Sequence, residues 1–253
     1  MDNTIVVNSD STVLFIDFDG VICDSVNECI VSSWIGYYRY LKKEEPSKIP
    51  VDFRKTFLSY RSYIRSGNDY ILIQELMDRG IPVESNEDFE RHRKLAGNKK
   101  MELYTQLFYR ARDYLLSNEL TYWLELNALF PHVTEPLKAV SERENIHILS
   151  TKKAMYNERI LRFNGINFPM ERIHYSSNAD KISFIRNFLN QHSHYQKAIL
   201  IDDQIDNMKG NTDSQIETYL ALWGFIDKKW LAEYPEIKKI GRDEFVKLLN
   251  SFR

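Results

Sequence analysis

Four aspartates in two pairs are the residues of this 253-residue sequence whose types and spacing best fit catalysis. Asp17 and Asp19 are separated by one residue, and Asp202 and Asp203 are adjacent. Each pair follows a short apolar run, and paired acids at the edge of a sheet are costly to ionise without a cation. Because oxygen ligands without cysteine or histidine nearby favour Mg²⁺ over zinc, the two pairs predict a magnesium site.

The sequence also supplies the parts that phosphoryl transfer needs, which are a nucleophile, a proton donor, a metal and donors for the phosphoryl oxygens. Asp17 can act as the nucleophile, because carboxylates form aspartyl-phosphate intermediates. Asp19 lies two residues further along an extended chain and can reach the leaving group as general acid. The hydroxyl of Ser150 can bond phosphoryl oxygens, and Lys181 can add a fixed positive charge.

The positive charge has more than one candidate. Lys181 precedes a helical pattern, and a lone lysine at such a position is most often a solvated residue at a helix start. Lys152 and Lys153 follow soon after Ser150 and are alternative cations. The residue pattern by itself leaves the three lysines open.

Positioning these residues requires a sheet whose strands end next to them. Short continuous apolar runs are typical of buried strands in a parallel sheet. Five runs fit this description: Val13–Ile16, Ile146–Leu149, Arg172–Tyr175, Ala198–Ile201 and Thr218–Leu222. In open α/β sheets, ligands bind beyond the carboxyl ends of the strands, which is where Asp17, Ser150 and Asp202 lie.

Helical patterns separate the predicted strands. They cover Pro136–Glu144, Lys153–Phe163, Lys181–Leu189 and Asp243–Leu249. Strands that alternate with helices predict βαβ units, and therefore an α/β fold with a Rossmann-like doubly wound parallel sheet.

The segment between the first and second predicted strands differs from the rest. It lacks a convincing strand, and its apolar residues recur at helical spacing, for example around Ile30, Tyr70 and Leu107. The simplest interpretation is an all-helical insertion over 23–129, with the α/β core formed by 1–22 and 130–253.

Composition and charge argue against several other classes of protein. The formal net charge is −2, so the overall charge favours neither nucleic acid nor an anionic membrane as a partner. No apolar stretch is long enough to cross a bilayer, and the beginning of the sequence lacks the pattern of a secretory signal. The two cysteines, Cys23 and Cys29, are too few for a disulfide framework and favour a cytoplasmic protein.

Four motifs, in order, resemble those of the haloacid dehalogenase superfamily. Asp17–Ser25 resembles the first motif, Ile148–Lys152 the second, Asp180–Lys181 the third, and Ile199–Asp203 followed by Asn207 the fourth. The resemblance is closest to the branch that contains phosphoglycolate phosphatases and β-phosphoglucomutase, in which a helical cap domain is inserted. It covers the core from Val13 to Gly224 and does not extend through the insertion.

The resemblance implies a role for each acidic residue of the site. Asp17 would be the nucleophile and a carboxylate ligand of Mg²⁺. Asp19 would be the general acid and base, and its backbone carbonyl would bind the metal. Asp203 would be the main metal ligand of the fourth motif, with Asp202 contributing directly or through water.

The resemblance also implies phosphate contacts for Ser150, Thr151 and Lys181, although Thr151 stands where the family often has asparagine. The implied activity is that of a Mg²⁺-dependent phosphatase acting on a small phosphorylated metabolite. A phosphomutase of the same fold, or a non-catalytic binding protein that has kept the fold, are the alternatives. The sequence specifies neither the substrate, nor the cap residues that select it, nor the oligomeric state.

Overall fold

The computed structural model describes residues 5, 7–176 and 180–253 of the chain. These residues form two compact units. An α/β unit comprises the chain up to Asp24 and from Ala128 onward, and a helical unit comprises residues 25–127. Among the described residues, no helix combines the length and the apolar character needed to span a bilayer.

The α/β unit contains eight strands among its described residues. In chain order they are β1 (Thr12–Ile16), β2 (Cys23–Asp24), β3 (Ala128–Leu129), β4 (Ile146–Ser150), β5 (Ile173–Tyr175), β6 (Lys197–Asp202), β7 (Ile216–Ala221) and β8 (Lys238–Ile240). Six of them form one sheet in the order β5-β4-β1-β6-β7-β8, and β2 pairs with β3 separately. Every pairing in the large sheet is parallel, whereas β2 and β3 are antiparallel.

The parallel sheet confirms the predicted α/β fold class. The five predicted strands correspond to β1, β4, β5, β6 and β7, with ends that differ by one or two residues. β8 was not predicted, because Lys238 and Lys239 make up two of its three residues and no apolar run marks it. β2 and β3 have two residues each, which is too short for a periodic pattern.

The helices of the described chain are, in order, α1 (Val26–Ile35), α2 (Val51–Ser59), α3 (Gly67–Asp78), α4 (Asn86–Asn118), α5 (Leu120–Glu125), α6 (Pro131–Val140), α7 (Ala154–Phe163), α8 (Lys181–Gln191), α9 (Trp230–Glu233) and α10 (Arg242–Asn250). The first five belong to the helical unit and the last five to the α/β unit. A π-helical segment, Gly36–Lys42, continues α1.

The prediction of a helix over Pro136–Glu144 was wrong at both ends. The helix begins at Pro131 and ends at Val140. Pro131 takes the first helical position, where a missing N–H costs nothing because that group has no partner inside the helix. Pro136 lies inside the helix instead of starting it. The apolar positions Val133, Leu137 and Val140 are buried, which sets the face that the helix presents to the core.

β1 is an interior strand of the large sheet, because it pairs with a strand on each side. Ile16 is opposite Ile148 of β4 and opposite Ile201 of β6. Every residue of β1 is buried, as expected for a strand covered on both faces of a sheet. This register brings the carboxyl ends of β1, β4 and β6 to one edge, where the chain direction of successive crossovers changes.

α8 is anchored on this sheet by an apolar stripe. Ile185 and Leu189 are buried against a cluster that includes Phe15 of β1 and Leu200 of β6. Complete burial of such an aliphatic side chain contributes about 1.5–3 kcal/mol. The side chain of Asp180 accepts a hydrogen bond from the backbone N–H of Ser183 at 3.0 Å and so caps the start of the helix.

In the helical unit, all of whose residues are described, helices are the only regular elements. α4 is broken at Gly97, whose φ of +75° is accessible to glycine at little cost. Phe57, Tyr70 and Phe108 stack in series, with ring centroids 5.8 Å and 5.4 Å apart, and form part of the core.

A buried ion pair joins α1 to α4 inside the helical unit. Nε of Arg112 donates to Oε1 of Glu28 at 2.9 Å, and Nη2 donates to Oε2 at 2.7 Å. The hydroxyl of Ser32 also donates to Oε1 of Glu28, at 2.6 Å. Burial alone would lower the pKa of Arg112, but the Glu28 carboxylate outweighs it and raises that pKa above its usual range.

Candidate active site

Asp17 begins the loop that follows β1. Its backbone N–H donates to the carbonyl of Ile201 in β6 at 2.9 Å, so the loop starts as a continuation of the sheet. The chain then turns back on itself: the N–H groups of Ile22 and Cys23 both donate to the carbonyl of Phe18, at 3.0 Å and 2.8 Å. This turn holds the backbone on both sides of Asp19.

Three carboxylates meet at the carboxyl ends of β1 and β6. One oxygen atom from each of Asp17, Asp202 and Asp203 lies within 4.8 Å of the other two, and all three side chains are buried. Nζ of Lys181, at the start of α8, lies 2.7 Å from Oδ1 of Asp17 and 2.7 Å from Oδ2 of Asp202. Three ionised carboxylates and one ammonium group leave a formal charge of −2.

The acidic cluster fits a hard divalent cation. Its donors are oxygen atoms only, which is the ligand set that Mg²⁺ prefers. Burial raises the pKa of Asp17 well above its usual range; Lys181 opposes this shift, and the carboxylates of Asp202 and Asp203 add to it. A cation bound among the three oxygens would remove this repulsion and favour the ionised form of Asp17.

Lys181 is a buried cation held by carboxylates on two strands. Burial by itself would lower its pKa, but Asp17 and Asp202 outweigh burial and raise that pKa above the usual range. Lys181 is therefore a permanent positive charge beside Asp17. Lysine is almost never fully buried unless it is paired in this way.

Asp202 is oriented by its own loop. Its Oδ1 accepts a hydrogen bond from the backbone N–H of Gln204, and its Oδ2 accepts one from the side-chain amide of Asn207, both at 2.8 Å. With Lys181 also at Oδ2, the carboxylate has three donors. Such donors fix the orientation of a carboxylate that binds a metal ion or pairs with a cation.

Asp203 is enclosed by two glycines. A Cβ atom on Gly20 would lie 2.0 Å from Oδ2 of Asp203, and one on Gly224 would lie 2.3 Å from Cβ of Asp203. Gly20 also has a φ of +89°, which disfavours any side chain there. The backbone N–H of Phe225 donates to Oδ2 of Asp203 at 2.8 Å. The two glycines therefore leave room for the carboxylate, and this hydrogen bond orients it.

Ser150 ends β4 and is buried, 1% exposed. Its hydroxyl oxygen accepts a hydrogen bond from the backbone N–H of Lys152 at 3.1 Å, which leaves the hydroxyl proton able to donate to a ligand. Thr151 is exposed at the same end of the strand.

The structure separates the three lysines that the sequence left as alternatives. Lys181 contacts Asp17 and Asp202. Lys152 instead contacts Asp19, with Nζ 2.7 Å from Oδ1, and Lys153 is exposed. The contact between Lys152 and Asp19 was not predicted; the only signal for it was a lysine two residues beyond Ser150.

Two contacts with Asp203 were missed from sequence. Gly224 and the N–H of Phe225 contact Asp203, although their segment was noted only as part of the loop after a core strand. Asp206, which follows the fourth motif closely, is exposed and lies 2.5 Å from Lys209 rather than in the acidic cluster.

Comparison with known proteins finds similar structures but no similar sequence. No protein-family model and no curated protein sequence matches the chain. A haloacid dehalogenase-like family hydrolase from Streptococcus pneumoniae has a similar structure, with a TM-score of 0.60, 19% identity and coverage of 98% of this chain and 100% of that one. A protein described as a predicted phosphoglycolate phosphatase from Haemophilus somnus also has a TM-score of 0.60, with 12% identity and the same coverage.

A third similar structure carries a different functional name. Protein Tyrosine Kinase A from Mycobacterium tuberculosis has a TM-score of 0.58 and 16% identity, over 96% of this chain and 99% of that one. At such identities the likeness concerns the fold, and one fold can support several activities. The predicted resemblance is thus confirmed at the level of structure: the chain has the fold of the haloacid dehalogenase-like hydrolases.

Proposed function

We propose that this protein is a Mg²⁺-dependent phosphatase that hydrolyses a small phosphorylated metabolite through an aspartyl-phosphate intermediate. One observation carries the proposal. Asp17 lies at the carboxyl end of the central strand, with an ammonium group at 2.7 Å and two more carboxylates close by. A nucleophilic carboxylate beside fixed positive charge and a cation site is what transfer of a phosphoryl group requires.

In the first half of the reaction, an oxygen of Asp17 attacks the phosphorus of the substrate, and the bond from phosphorus to the leaving oxygen breaks. Asp19 gives its proton to that oxygen, which departs as an alcohol. Lys181 stabilises the charge on Asp17 and on the phosphoryl oxygens, and the hydroxyl of Ser150 donates to one of those oxygens. Thr151, exposed at the same strand end, is proposed as a further phosphate contact.

In the second half, the Asp19 carboxylate takes a proton from water as the water oxygen attacks phosphorus. The bond between phosphorus and the Asp17 oxygen breaks, which regenerates the Asp17 carboxylate and releases inorganic phosphate. Asp17, Asp202 and Asp203 would hold Mg²⁺ by their side chains, and Asp19 by its backbone carbonyl. The bound ion would supply positive charge to the phosphoryl oxygens.

We further propose that the helical unit, residues 25–127, is the cap domain that selects the substrate; the sequence predicts this domain over 23–129. Cys23 and Cys29 are both buried and lie outside any disulfide, which supports a reducing compartment such as the cytoplasm. We expect the ligand to be a small phosphorylated molecule, because the chain's net charge of −2 does not favour a nucleic acid.

The test is hydrolysis of 4-nitrophenyl phosphate with and without MgCl₂. We expect activity that needs Mg²⁺, and a loss of at least about 1000-fold in kcat for Asp17→Asn, because the amide cannot form the covalent intermediate. Asp206→Asn, a change of an exposed aspartate in a nearby loop, is the matched control and should keep its activity. Unchanged turnover in Asp17→Asn would exclude the mechanism.

A further inference from the structure

The second buried lysine of the α/β unit, Lys152, is not explained by the roles assigned so far. Its side chain is 3% exposed, and its Nζ lies 2.7 Å from Oδ1 of Asp19, whose side chain is 23% exposed. Burying an ammonium group is costly unless it is paired. The partner here is the carboxyl group that the proposed reaction uses to move protons.

The backbone of Lys152 is held in place by two hydrogen bonds of its own. Its N–H donates to the Ser150 hydroxyl at 3.1 Å, and its carbonyl accepts from the side-chain amide of Asn157, in α7, at 3.4 Å. Nζ also lies 5.5 Å from the ring centroid of Phe18, within the range of a cation–π interaction. The strand end, the following helix and the aromatic ring therefore all limit where Nζ can go.

The two buried lysines serve different carboxylates. Lys181 contacts Asp17 and Asp202, whereas Lys152 contacts Asp19. A carboxylate side chain on a loop has several rotamers of similar energy. A fixed ammonium group at one oxygen selects one of them and leaves the other oxygen to face the reacting groups.

We propose that Lys152 is a positioning residue for Asp19: it holds the carboxyl group of the general acid in the orientation from which a proton can reach the leaving oxygen. The inference rests on the proposed phosphatase activity. Lys152 itself touches neither the substrate nor the reacting atoms in this role. It acts only through Asp19, which makes its effect separable from that of Lys181.

The test compares two esters that differ in their need for a proton. Phenyl phosphate has a poor leaving group and depends on the general acid, while 4-nitrophenyl phosphate has a good one and depends on it little. For Lys152→Met we expect kcat/KM to fall about 10–100-fold on phenyl phosphate and less than about 3-fold on 4-nitrophenyl phosphate. The ratio kcat/KM reports the steps up to departure of the leaving group, so it excludes the second half of the reaction, which is the same for both esters. Lys153→Met, which removes the exposed neighbouring lysine, is the matched control and should behave as wild type.

A double-mutant cycle makes the test specific to Asp19. If Lys152 acts only through that carboxyl group, Lys152→Met should cause no further loss on phenyl phosphate in an Asp19→Asn background. Should Lys152→Met not fold, Lys152→Gln is the second variant; it keeps a hydrogen-bond donor on the same side chain, and it should lose less on phenyl phosphate than Asp19→Asn does.

Three results would overturn the proposal. Equal losses of kcat/KM on both esters would mean a general structural effect, a rise in KM for both esters at unchanged kcat would mean direct contact with substrate, and an undiminished loss in the Asp19→Asn background would mean a role independent of Asp19. Failure of the phosphatase proposal is recognised separately, because wild-type protein would then hydrolyse neither ester with Mg²⁺.

Discussion

The two units of this chain each bury a group of charged side chains, and the two groups differ in charge balance. In the helical unit, Glu28 and Arg112 form a pair with two parallel hydrogen bonds, so one charge cancels the other. In the α/β unit, the carboxylates of Asp17, Asp202 and Asp203 lie together, and the ammonium group of Lys181 contacts two of them, Asp17 and Asp202.

The difference separates a structural use of buried charge from a functional one. A balanced pair is complete, because each charge has its partner and its hydrogen bonds. An unbalanced cluster stores electrostatic repulsion, which is why neighbouring carboxylates contribute to the raised pKa of Asp17. Such a cluster attracts a cation, and removal of charge should therefore have opposite consequences for the stability of the two groups.

The largest expected effect on stability comes from breaking the balanced pair. Arg112→Met leaves the buried Glu28 carboxylate without its counter-charge and should lower the free energy of unfolding by about 3–5 kcal/mol. Urea denaturation in EDTA and in MgCl₂ should give the same loss, because this pair lies outside the acidic cluster. Arg91→Met, which breaks an exposed ion pair with Asp88 on α4, is the control and should cost less than about 1 kcal/mol. A loss in Arg112→Met no larger than the control would contradict the comparison.

The proximity of the acidic residues could be expected from sequence, whereas the pairing of Glu28 with Arg112 could not. Asp17, Ser150 and Asp202 follow apolar runs, and parallel strands bring their carboxyl ends together, so the sheet prediction already implied that these residues meet. Glu28 and Arg112 are 84 residues apart on two helices, and nothing in helical periodicity specifies that they face each other. Contacts between helices depend on packing angles that a single sequence does not encode locally.

The same limit explains the lysines and the shortest elements. Lys152 and Lys181 each occupy a plausible position, and only the direction of each side chain decides which carboxylate it reaches. β8 was missed because its Lys-Lys-Ile sequence lacks an apolar run, and it forms by pairing with β7. Tertiary context overrides local preference in such short strands.

A smaller effect, of opposite sign, is expected when the unbalanced cluster loses a carboxylate. In EDTA, Asp203→Asn should match or exceed wild type in stability, because one repelling charge is gone while the amide oxygen can still accept from the N–H of Phe225. Wild type should gain about 1–3 kcal/mol in MgCl₂ if the ion is present at roughly 10–100 times its Kd, and Asp203→Asn should gain little.

Thermal unfolding with and without MgCl₂ measures both parts of this prediction. Asp206→Asn changes the same net charge at an exposed position and should keep the full response to Mg²⁺. An Asp203→Asn variant that loses stability in EDTA yet responds normally to Mg²⁺ would show that the cluster is a structural group like that of Glu28 and Arg112.

A third group extends the comparison, because it is partly buried and polar but uncharged. Nδ1 of His147 and Nε2 of His174 lie 2.9 Å apart on neighbouring strands, β4 and β5. Burial, followed by the electrostatic effects of His174 and Arg172, lowers the pKa of His147 to about 3. Burial, followed by His192, lowers the pKa of His174 to about 4. One ring must accept the shared hydrogen bond, and a protonated imidazole has no acceptor.

The smallest predicted effect is the pH dependence that this neutral pair creates. Below pH 6.5 the unfolded chain takes up protons on these histidines while the folded protein does not, so stability should fall as pH decreases from about 6.5 towards 4. His147→Phe removes one such group and keeps an aromatic ring beside Phe15. Between pH 7.5 and pH 5.5 the variant should therefore lose about 1 kcal/mol less in its free energy of unfolding than wild type.

The exposed His194→Asn variant is the control for the loss of a histidine, and urea denaturation at the two pH values measures all three proteins. An identical pH dependence in wild type and His147→Phe would mean that His147 takes up protons in the folded protein as it does in the unfolded chain, and would remove it from the uncharged group.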